Sequence, residues 1–586
     1  MKKMNSFLQQ KNIDVVIVLA AVSIIIMLPQ IYEHAIIVSG DSLFHLNRFY
    51  ETYKQIKTGN YSYFQTLYGF NGSARIVNAL YGPYLAYLMG FFLLILKSWF
   101  KFQLVTGFLL LFISGYSMYF LARKISIKKA IAVGLAIMYM CTPWVASESF
   151  TAVGAALFPL VFVAGASMVN VPKPVSILKL SLLMSVLIEV HVFTSVLAVV
   201  VLIPFFVVGM IKNENKGKLL LHTILSALIT FCLTSNVWIA LVEVMGSNKV
   251  LTVFPSEMTR STMGFSDVQF SLLSYGIIYS VVFMFVLVRT IVMWRKIGFF
   301  EKLIDLIGIF FLLISTGLFP WRVVEHRFVF LRTFVQFPQR FSVVAFVAII
   351  LGLGIFLNDY PALKSIQLKN IGKIFYLVLL SLLIINANSM FKVVTQSWNT
   401  SSPYAATTLP LTKDANKIRE SFKNSNNLGE PFEYLAKVNP DYLPTQKNFT
   451  GTVDAYSKLN PYNLYYQQIS LNKVKLKHRV ERKGTIEVSW INSGLDSRFM
   501  QLPLVEYAHS SIYINGHKAT KRNSKVSKIG VISVYSDVGK NTLTIEYIPS
   551  QTTRKILIAN WICWMFFLLV IGLSFLRKKL FLDRID

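Results

Sequence analysis

Long apolar runs separated by short polar loops fill the first two thirds of the chain, and one more stands near its end. A run of roughly 18 apolar residues is long enough to cross a bilayer. The pattern predicts spans at about 14–32, 102–122, 130–147, 151–169, 174–190, 192–211, 219–243, 268–293, 303–319, 341–357, 374–389 and 556–576, about twelve in all. Between the last two the period changes. Val474, Leu476, His478 and Val480 alternate with Lys473, Lys475, Lys477 and Arg479, and Ile486, Val488 and Trp490 alternate with Thr485, Glu487 and Ser489. A period of two is that of a half-buried strand. Asn515-Gly516 closes residues 511–514 with a hairpin signal, since a type I′ turn needs two residues that tolerate positive φ. Residues 531–535 and 542–548 complete a β-sandwich pattern. Residues 390–470, rich in Asn, Ser, Pro and Tyr, show no clear period. The fold class expected is a mostly α polytopic membrane protein with an external β-sandwich-like domain before its last helix. The expected division is a multi-span part over 1–389, a soluble part over 390–555, and a final helix with a basic tail over 556–586.

One polar stretch follows the first apolar run: Gly40-Asp41-Ser42-Leu43-Phe44-His45-Leu46-Asn47-Arg48. As a helix it sets Asp41, His45, Arg48 and Thr52 on one face, and Leu46, Phe49, Tyr50, Tyr53 and Ile56 on another. Such a helix can lie on a membrane surface with an acid, an imidazole and a guanidinium side by side. The same residues fit a plainer role for Asp41 as helix N-cap, and capping does not exclude catalysis.

Charge sets the orientation. Lys2, Lys3 and Lys11 precede the first span and no small-residue cleavage site follows it, which predicts an uncleaved anchor with a cytoplasmic amino terminus. Residues 33–101 then form an outer loop that carries Asp41. Residues 79–97 are apolar enough to span, but that would put Arg123, Lys124, Lys128 and Lys129 outside, against the positive-inside rule. They are therefore expected to be interfacial or re-entrant, a reading that Gly82-Pro83 and Gly90 favour by weakening a straight helix. The loops assigned to the cytoplasm hold Arg123 to Lys129, Lys173, Lys212 to Lys218, Arg295 to Lys302 and Lys364 to Lys373, and Arg577-Lys578-Lys579 follows the last span. The expected location is a bacterial plasma membrane, with both termini cytoplasmic and residues 390–555 extracytoplasmic.

Composition narrows the chemistry. The 586 residues are 54% hydrophobic, with a mean hydropathy of +0.54. Cys141, Cys232 and Cys563 all lie in apolar runs, so no disulfide framework or C-x-x-C metal site is available. The net charge of +30 is scattered over loops as a topology signal and forms no single nucleic-acid-binding tract. The chain has no P-loop, GxGxxG, H-E-x-x-H or G-x-S-x-G, which disfavours ATP-driven transport and serine hydrolysis. Ionisable residues collect at the predicted outer face: Glu189, His191 and Glu243 at span ends, and Glu257, Arg322, Glu325, Arg327, Arg332 and Arg340 in or beside loops. Burying a charge in a bilayer costs at least about 2.5–3.5 kcal/mol, so such residues line a cavity, pair, or sit among headgroups. Arg289 and Asp305, near inner span ends, are expected among headgroups. Glu189 and His191, two apart, share no helix face and do not read as a metal pair. Basic runs at Lys473 to Lys483 and Lys518 to Lys528 suggest contact with an acidic envelope polymer or anionic headgroups, or a solvated face.

The order of these features resembles the GT-C superfamily of membrane glycosyltransferases, and within it a bacterial membrane family labelled "6-pyruvoyl-tetrahydropterin synthase-related". The matching pieces are the Gly40 to Arg48 stretch, Tyr81-Gly82-Pro83-Tyr84, Thr142-Pro143-Trp144, Phe158-Pro159-Leu160, Gln336-Phe337-Pro338-Gln339-Arg340-Phe341 and Asp441-Tyr442-Leu443-Pro444. One piece departs: residues 149–155 lack the arginine and Gly-Glu pair of the family pattern. The resemblance implies transfer of a sugar from a polyprenyl-phosphate carrier in the membrane lipid to an envelope glycan or glycolipid on the outer face, with no nucleic-acid partner. An external site points the same way, since nucleotide sugars do not cross the bilayer. Such a reaction needs a carboxylate base and cations for the departing phosphate. The candidate catalytic residues are Asp41, as base, and His45. The substrate-binding candidates are Arg48, Arg340 as phosphate ligand, Glu189, His191 and Arg322. No metal ligand set is evident in the sequence, although some GT-C enzymes use a divalent metal. The alternative class is a non-enzymatic membrane protein: a lipid or polysaccharide transporter, or an assembly scaffold.

Overall fold

The computed structural model describes residues 12–38, 40–146, 152–169, 175–265, 274–359, 366–481 and 484–583, without the side chains of 366–373 and 577–583. The expectations placed on Lys2, Lys3, Lys11, residues 149–151, Lys173, residues 268–273, Lys364 and Lys483 lie outside the described residues.

Eight described helices are long and apolar enough to cross a membrane: Ile13–Glu33, Trp99–Lys124, Ala152–Val169, Val192–Lys212, Lys216–Leu233, Pro338–Asp359, Ile374–Asn399 and Gln551–Leu576. The chain is a largely α-helical, multi-pass membrane protein. The other four expected spans form helices of 12, 14, 17 and 17 residues, Lys129–Met140, Ile177–Val190, Gly276–Val292 and Phe299–Ser315. These sit at or below the length that a core about 30 Å thick requires. Apolar content overstated the 130–147 run because it does not register breaks. Lys129–Met140 stops just before Thr142-Pro143, where the proline disfavours helix for the residue preceding it. The run at 219–243 divides at Thr234 into Lys216–Leu233 and Ser235–Ser247.

Residues 79–97 form Pro83–Leu96, a 14-residue helix of about 21 Å. Its glycines serve contact. A Cβ on Gly90 would fall 2.3 Å from Thr52 Oγ1 and 2.6 Å from the Tyr53 nitrogen, so this helix packs directly on Ser42–Thr58. Gly82 has φ +72°, and a Cβ there would meet the Glu189 carbonyl at 2.0 Å.

Ser42–Thr58 is amphipathic in sequence but is not laid on a surface with its polar face outward. Leu43, Leu46, Phe49 and Tyr53 enter a core with Leu85, Met89, Trp99 and Phe102. The polar side is covered too. Asn47 Oδ1 accepts the Phe70 N–H at 2.9 Å, and the Glu51 carboxylate accepts the N–H groups of Leu67, Tyr68 and Gly69 at 2.7–2.8 Å. A loop folded back over the helix satisfies its polar residues in place of water.

Residues 390–470 complete the same cores. Trp398, Ile418, Phe422 and Leu435 join Phe49 and Trp99, while Leu443, Tyr456 and Tyr465 join Ile76, Leu80 and Val244. This segment holds the two-residue pair β1 (Leu409–Pro410) and β2 (Leu435–Ala436). The remaining strands are β3 (Lys477–Val480), β4 (Ile486–Asn492), β5 (Arg498–Val505), β6 (Ser510–Ile514), β7 (His517–Lys518), β8 (Ser524–Val526), β9 (Val531–Ser536) and β10 (Gly539–Tyr547). They make an antiparallel five-stranded sheet, β3-β4-β10-β6-β7, and a three-stranded sheet, β5-β9-β8. Ile486, Val488, Trp490, Ile512, Ile514, Leu543 and Ile545 of the first share one core with Leu502, Leu504, Ile532 and Val534 of the second. The region is an open-edged pair of packed sheets. At the β6–β7 turn Asn515 and Gly516 have φ of 48° and 84°, as a type I′ turn demands. β5 escaped the alternation pattern because its register shifts between Gln501 and Val505, around Pro503.

Arg289 and Asp305 correct the headgroup expectation. Both are buried, and Arg289 Nη2 pairs with Asp305 Oδ2 at 3.0 Å and with Glu301. Thr290 Oγ1 donates to Asp305 Oδ2 at 2.9 Å, and Arg289 Nη1 donates to the Gly352 carbonyl at 3.2 Å. The charges tie Gly276–Val292, Phe299–Ser315 and Ser342–Asp359 together.

Candidate functional site

Asp41 occupies the N-cap position of Ser42–Thr58, but its side chain makes no capping hydrogen bond. Its carboxylate is 69% exposed and pairs with Lys437 Nζ at 3.0 Å. Lys437 also donates to the Gly40 carbonyl at 3.0 Å and to Thr407 Oγ1 at 3.2 Å. A lysine from residues 390–470 thus reaches across to fix the acid in place.

One turn on, His45 and Arg48 are buried and in contact, Arg48 Nη1 to His45 Nδ1 at 3.2 Å. Arg48 donates from Nε to Asn78 Oδ1 at 2.9 Å and from Nη2 to the carbonyls of Tyr81 and Gly82 at 2.9 and 3.3 Å. Its guanidinium lies 4.7 Å from the centre of the Tyr81 ring. Every nitrogen of Arg48 has a partner within the protein, so it clamps the helix to the 78–82 turn. Burial, with the positive charge of Arg48 beside it, holds His45 well below the usual imidazole range. A neutral ring suits Nδ1 as acceptor from Arg48.

Glu189, in the last turn of Ile177–Val190, accepts from Asn236 Nδ2 at 2.6 Å and from the Tyr84 N–H at 3.4 Å. His191 caps Val192–Lys212: its Nδ1 lies 2.8 Å from Thr194 Oγ1 and accepts the Thr194 N–H at 3.3 Å. Burial, then the charge of Arg340, pushes His191 down to about 3.

Arg340 begins Pro338–Asp359. It donates to the Val335 carbonyl at 3.0 Å and to Gln336 Oε1 at 3.3 Å, between the rings of Phe193 and Phe337. Among the described residues no carboxylate lies within ion-pair distance of it. Asp41 and Arg340 both act on Tyr81 through space, as Arg48 does, and Glu189 acts on Arg48. Residues from four separate stretches, Asp41 with His45 and Arg48, Tyr81, Glu189 with His191, and Arg340, are therefore neighbours. Arg322 is not among them: it is exposed on the short helix Trp321–Arg327, with no hydrogen bond or ion pair among the described residues.

A third acid joins Asp41 and Glu189 in this group. Asp441 is half-buried, its Oδ1 has no partner, and Oδ2 accepts weakly from Asn439 Nδ2 at 3.3 Å. Arg75, wholly buried, holds the backbone here by donating to the Asn439 and Asp441 carbonyls at 2.7 and 2.8 Å. Burial raises the Asp441 carboxyl to about 6, against the pull of Arg75, with Asp41 adding to the rise. Asp441 opens one of the motif pieces that carried the resemblance, which was the signal for it; Arg75 and Lys437 had none. Among the described residues no three of His, Cys, Asp and Glu gather as a metal site would require.

The fold and these contacts define a multi-pass membrane protein that has a charged cluster between its helices and the 390–470 segment, and a β-rich region before its last helix. Comparison with protein-family models and with curated proteins finds no match to this chain.

Proposed function

We propose that the protein is a membrane glycosyltransferase that moves a sugar from a polyprenyl-phosphate carrier to a hydroxyl of an envelope glycan or glycolipid on the outer face. The observation that carries this reading is the convergence of Asp41, His45, Arg48, Glu189, His191 and Arg340 from distant stretches of sequence. The resemblance to GT-C enzymes supports it.

Asp41 is the base: it is the solvent-reachable acid of the cluster, and Lys437 orients it. It takes the acceptor proton as the hydroxyl oxygen bonds to the anomeric carbon. The bond from that carbon to the phosphate oxygen breaks, and the carrier phosphate leaves with the electron pair. Arg340, without a carboxylate partner among the described residues and close to the rings of Phe193 and Phe337, receives that phosphate, whose oxygens suit its fork. Arg48 and Glu189 position the 78–84 turn, and His45 and His191 act as neutral orienting groups.

Asp41→Asn tests this. Asparagine is nearly isosteric and an equally good N-cap but cannot take a proton. General-base catalysis contributes about 10²–10⁴-fold, and a loss of that order is expected at normal protein level. An Asp41→Asn protein that restores wild-type envelope glycans to a deletion strain would remove the base and favour the transporter or scaffold reading.

A further inference from the structure

Away from this cluster, Ser42–Thr58 and the β-rich segment line an open cavity of about 560 Å³. That is within the range of small-ligand sites, roughly 300–1,000 Å³. Its chemistry comes from Tyr50 and Lys54 on the helix, Tyr68 and Asn71 on the loop over it, and Asn472 and His478 on the approach to β3 and on β3 itself.

Three features of the lining point to one kind of ligand. First, among the described residues no acid contributes to the wall. Glu51, the nearest acid on the helix, is turned to the 67–69 backbone, which occupies its carboxylate. Second, Lys54 is half-buried at the wall and lies 5.3 Å from the centre of the Tyr68 ring, with no ion-pair partner among the described residues. An ammonium partly withdrawn from water without a counter-charge is a place for an anion. Third, the alternation through the approach to β3 and β3 itself puts Val474, Leu476, His478 and Val480 on the cavity, and leaves Lys473, Lys475, Lys477 and Arg479 exposed beside it. These four form no ion pair among the described residues. The basic run is thus the rim of a concave site.

We propose that this cavity binds a segment of anionic polysaccharide, with a carboxylate or phosphate of the saccharide at Lys54. Tyrosine rings accept the C–H face of a pyranose, and Asn71 and Asn472 offer donors and acceptors to hydroxyls. The basic rim holds the next anionic residues of the polymer. An acyl chain would find a charged and amide-bearing wall, which argues against a lipid occupant. The proposal goes beyond the transferase reading and stands without it, since binding requires no reaction.

The test uses the full chain in discs of uncharged zwitterionic lipid. The probe is a galacturonic acid trimer, with its methyl ester as the uncharged control, and titration calorimetry is the readout. The acid trimer should bind, and the ester at least about tenfold more weakly, since one lost charge-assisted contact amounts to that factor. Lys54→Gln should weaken acid binding by about tenfold, and Lys477→Gln with Arg479→Gln, a pair of exposed changes that leaves the fold alone, by roughly threefold. Raising the salt from 0.1 to 0.5 M should weaken it further, because screening shortens the reach of the rim. No binding of the trimer, equal binding of the ester, or unaltered affinity in both variants would overturn the proposal. So would binding to vesicles of anionic phospholipid that the trimer fails to displace.

Discussion

Two charged clusters in this protein use the same residue types to opposite ends. At one, Arg289 meets Glu301 and Asp305 directly, and Thr290 and the Gly352 carbonyl take up further hydrogen bonds. Charge of one sign is answered by the other in contact, and three helices are fastened. At the other, Asp41 pairs with Lys437 while most of its carboxylate faces solvent, Arg340 has no carboxylate within ion-pair distance among the described residues, and Arg75 bonds the backbone of Asp441 and leaves its carboxylate aside. Apart from the solvent-facing Asp41–Lys437 pair, charge there is held near opposite charge without meeting it in contact. The first arrangement is what stability asks of buried ions, and the second is what a ligand with its own charge asks of a site.

The strongest way to break this comparison is to truncate one arginine from each cluster. Removing one member of a buried ion pair costs about 3–5 kcal/mol, so Arg289→Ala should lower the thermal unfolding midpoint sharply in detergent. Arg340→Ala should stay within about 1 kcal/mol of wild type, since no charge is orphaned, and under the proposed function should abolish transfer. Arg340→Lys keeps the charge but loses the fork, so activity should fall at normal expression. Equal destabilisation by both alanine variants would dissolve the distinction.

Glu243 sharpens it as a third case, a charge met by neutral donors and an imidazole. It accepts from His509 Nδ1 at 2.7 Å, from the Ser550 N–H and hydroxyl at 2.8 Å each, and from Thr553 Oγ1 at 2.6 Å. It thereby joins Ser235–Ser247 to the start of the last helix. Burial alone would raise its carboxyl, but these hydrogen bonds hold it below the usual range. Glu243→Gln should cost about 1.5–3 kcal/mol at pH 7. A depressed carboxyl stabilises above its unfolded value and loses that contribution as the pH falls through its folded value. The gap between wild type and variant, measured by denaturation, should therefore close in acid.

Asp441 should behave in the reverse sense. Its carboxyl is raised to about 6, so the folded state holds its proton more tightly than the unfolded chain does. Its contribution is complete below the unfolded value and is lost as the pH rises through 6. Relative to wild type, Asp441→Asn should gain about 1–2 kcal/mol between pH 4 and pH 7, after discounting for partial exposure. A difference that does not change with pH would mean that Asp441 is neutralised as fully as Asp305.

The smallest effect belongs to a site remote from both clusters. Gly516, at φ +84°, has nothing within 4 Å of where a Cβ would stand, so Gly516→Ala pays only the backbone cost of about 1 kcal/mol. The unfolding midpoint should move slightly and transfer should not change.

Much of the architecture was legible along the chain because its causes are local. An apolar run of sufficient length must leave water, a period of two must face a core on one side, and Asn515-Gly516 suits two consecutive positive φ values in a tight turn. The cluster was legible in part: Asp41, His45, Arg48, Glu189, His191 and Arg340 were each visible as ionisable residues near an expected membrane face. What only the tertiary structure decided is which of them meet, and how. Lys437 and Asp441 come from a segment without period, and a partnership across nearly 400 residues has no local signature. Arg289 and Asp305 looked like ordinary span-end charges until their helices packed and made each the counter-ion of the other. The polar face of Ser42–Thr58 was expected in water and is buried, because Asn47 and Glu51 find backbone N–H groups on a returning loop. Hydropathy records what each residue would prefer in water or in oil; a folded chain supplies a third environment, its own polar groups at fixed distance, and that exists only once distant segments have met.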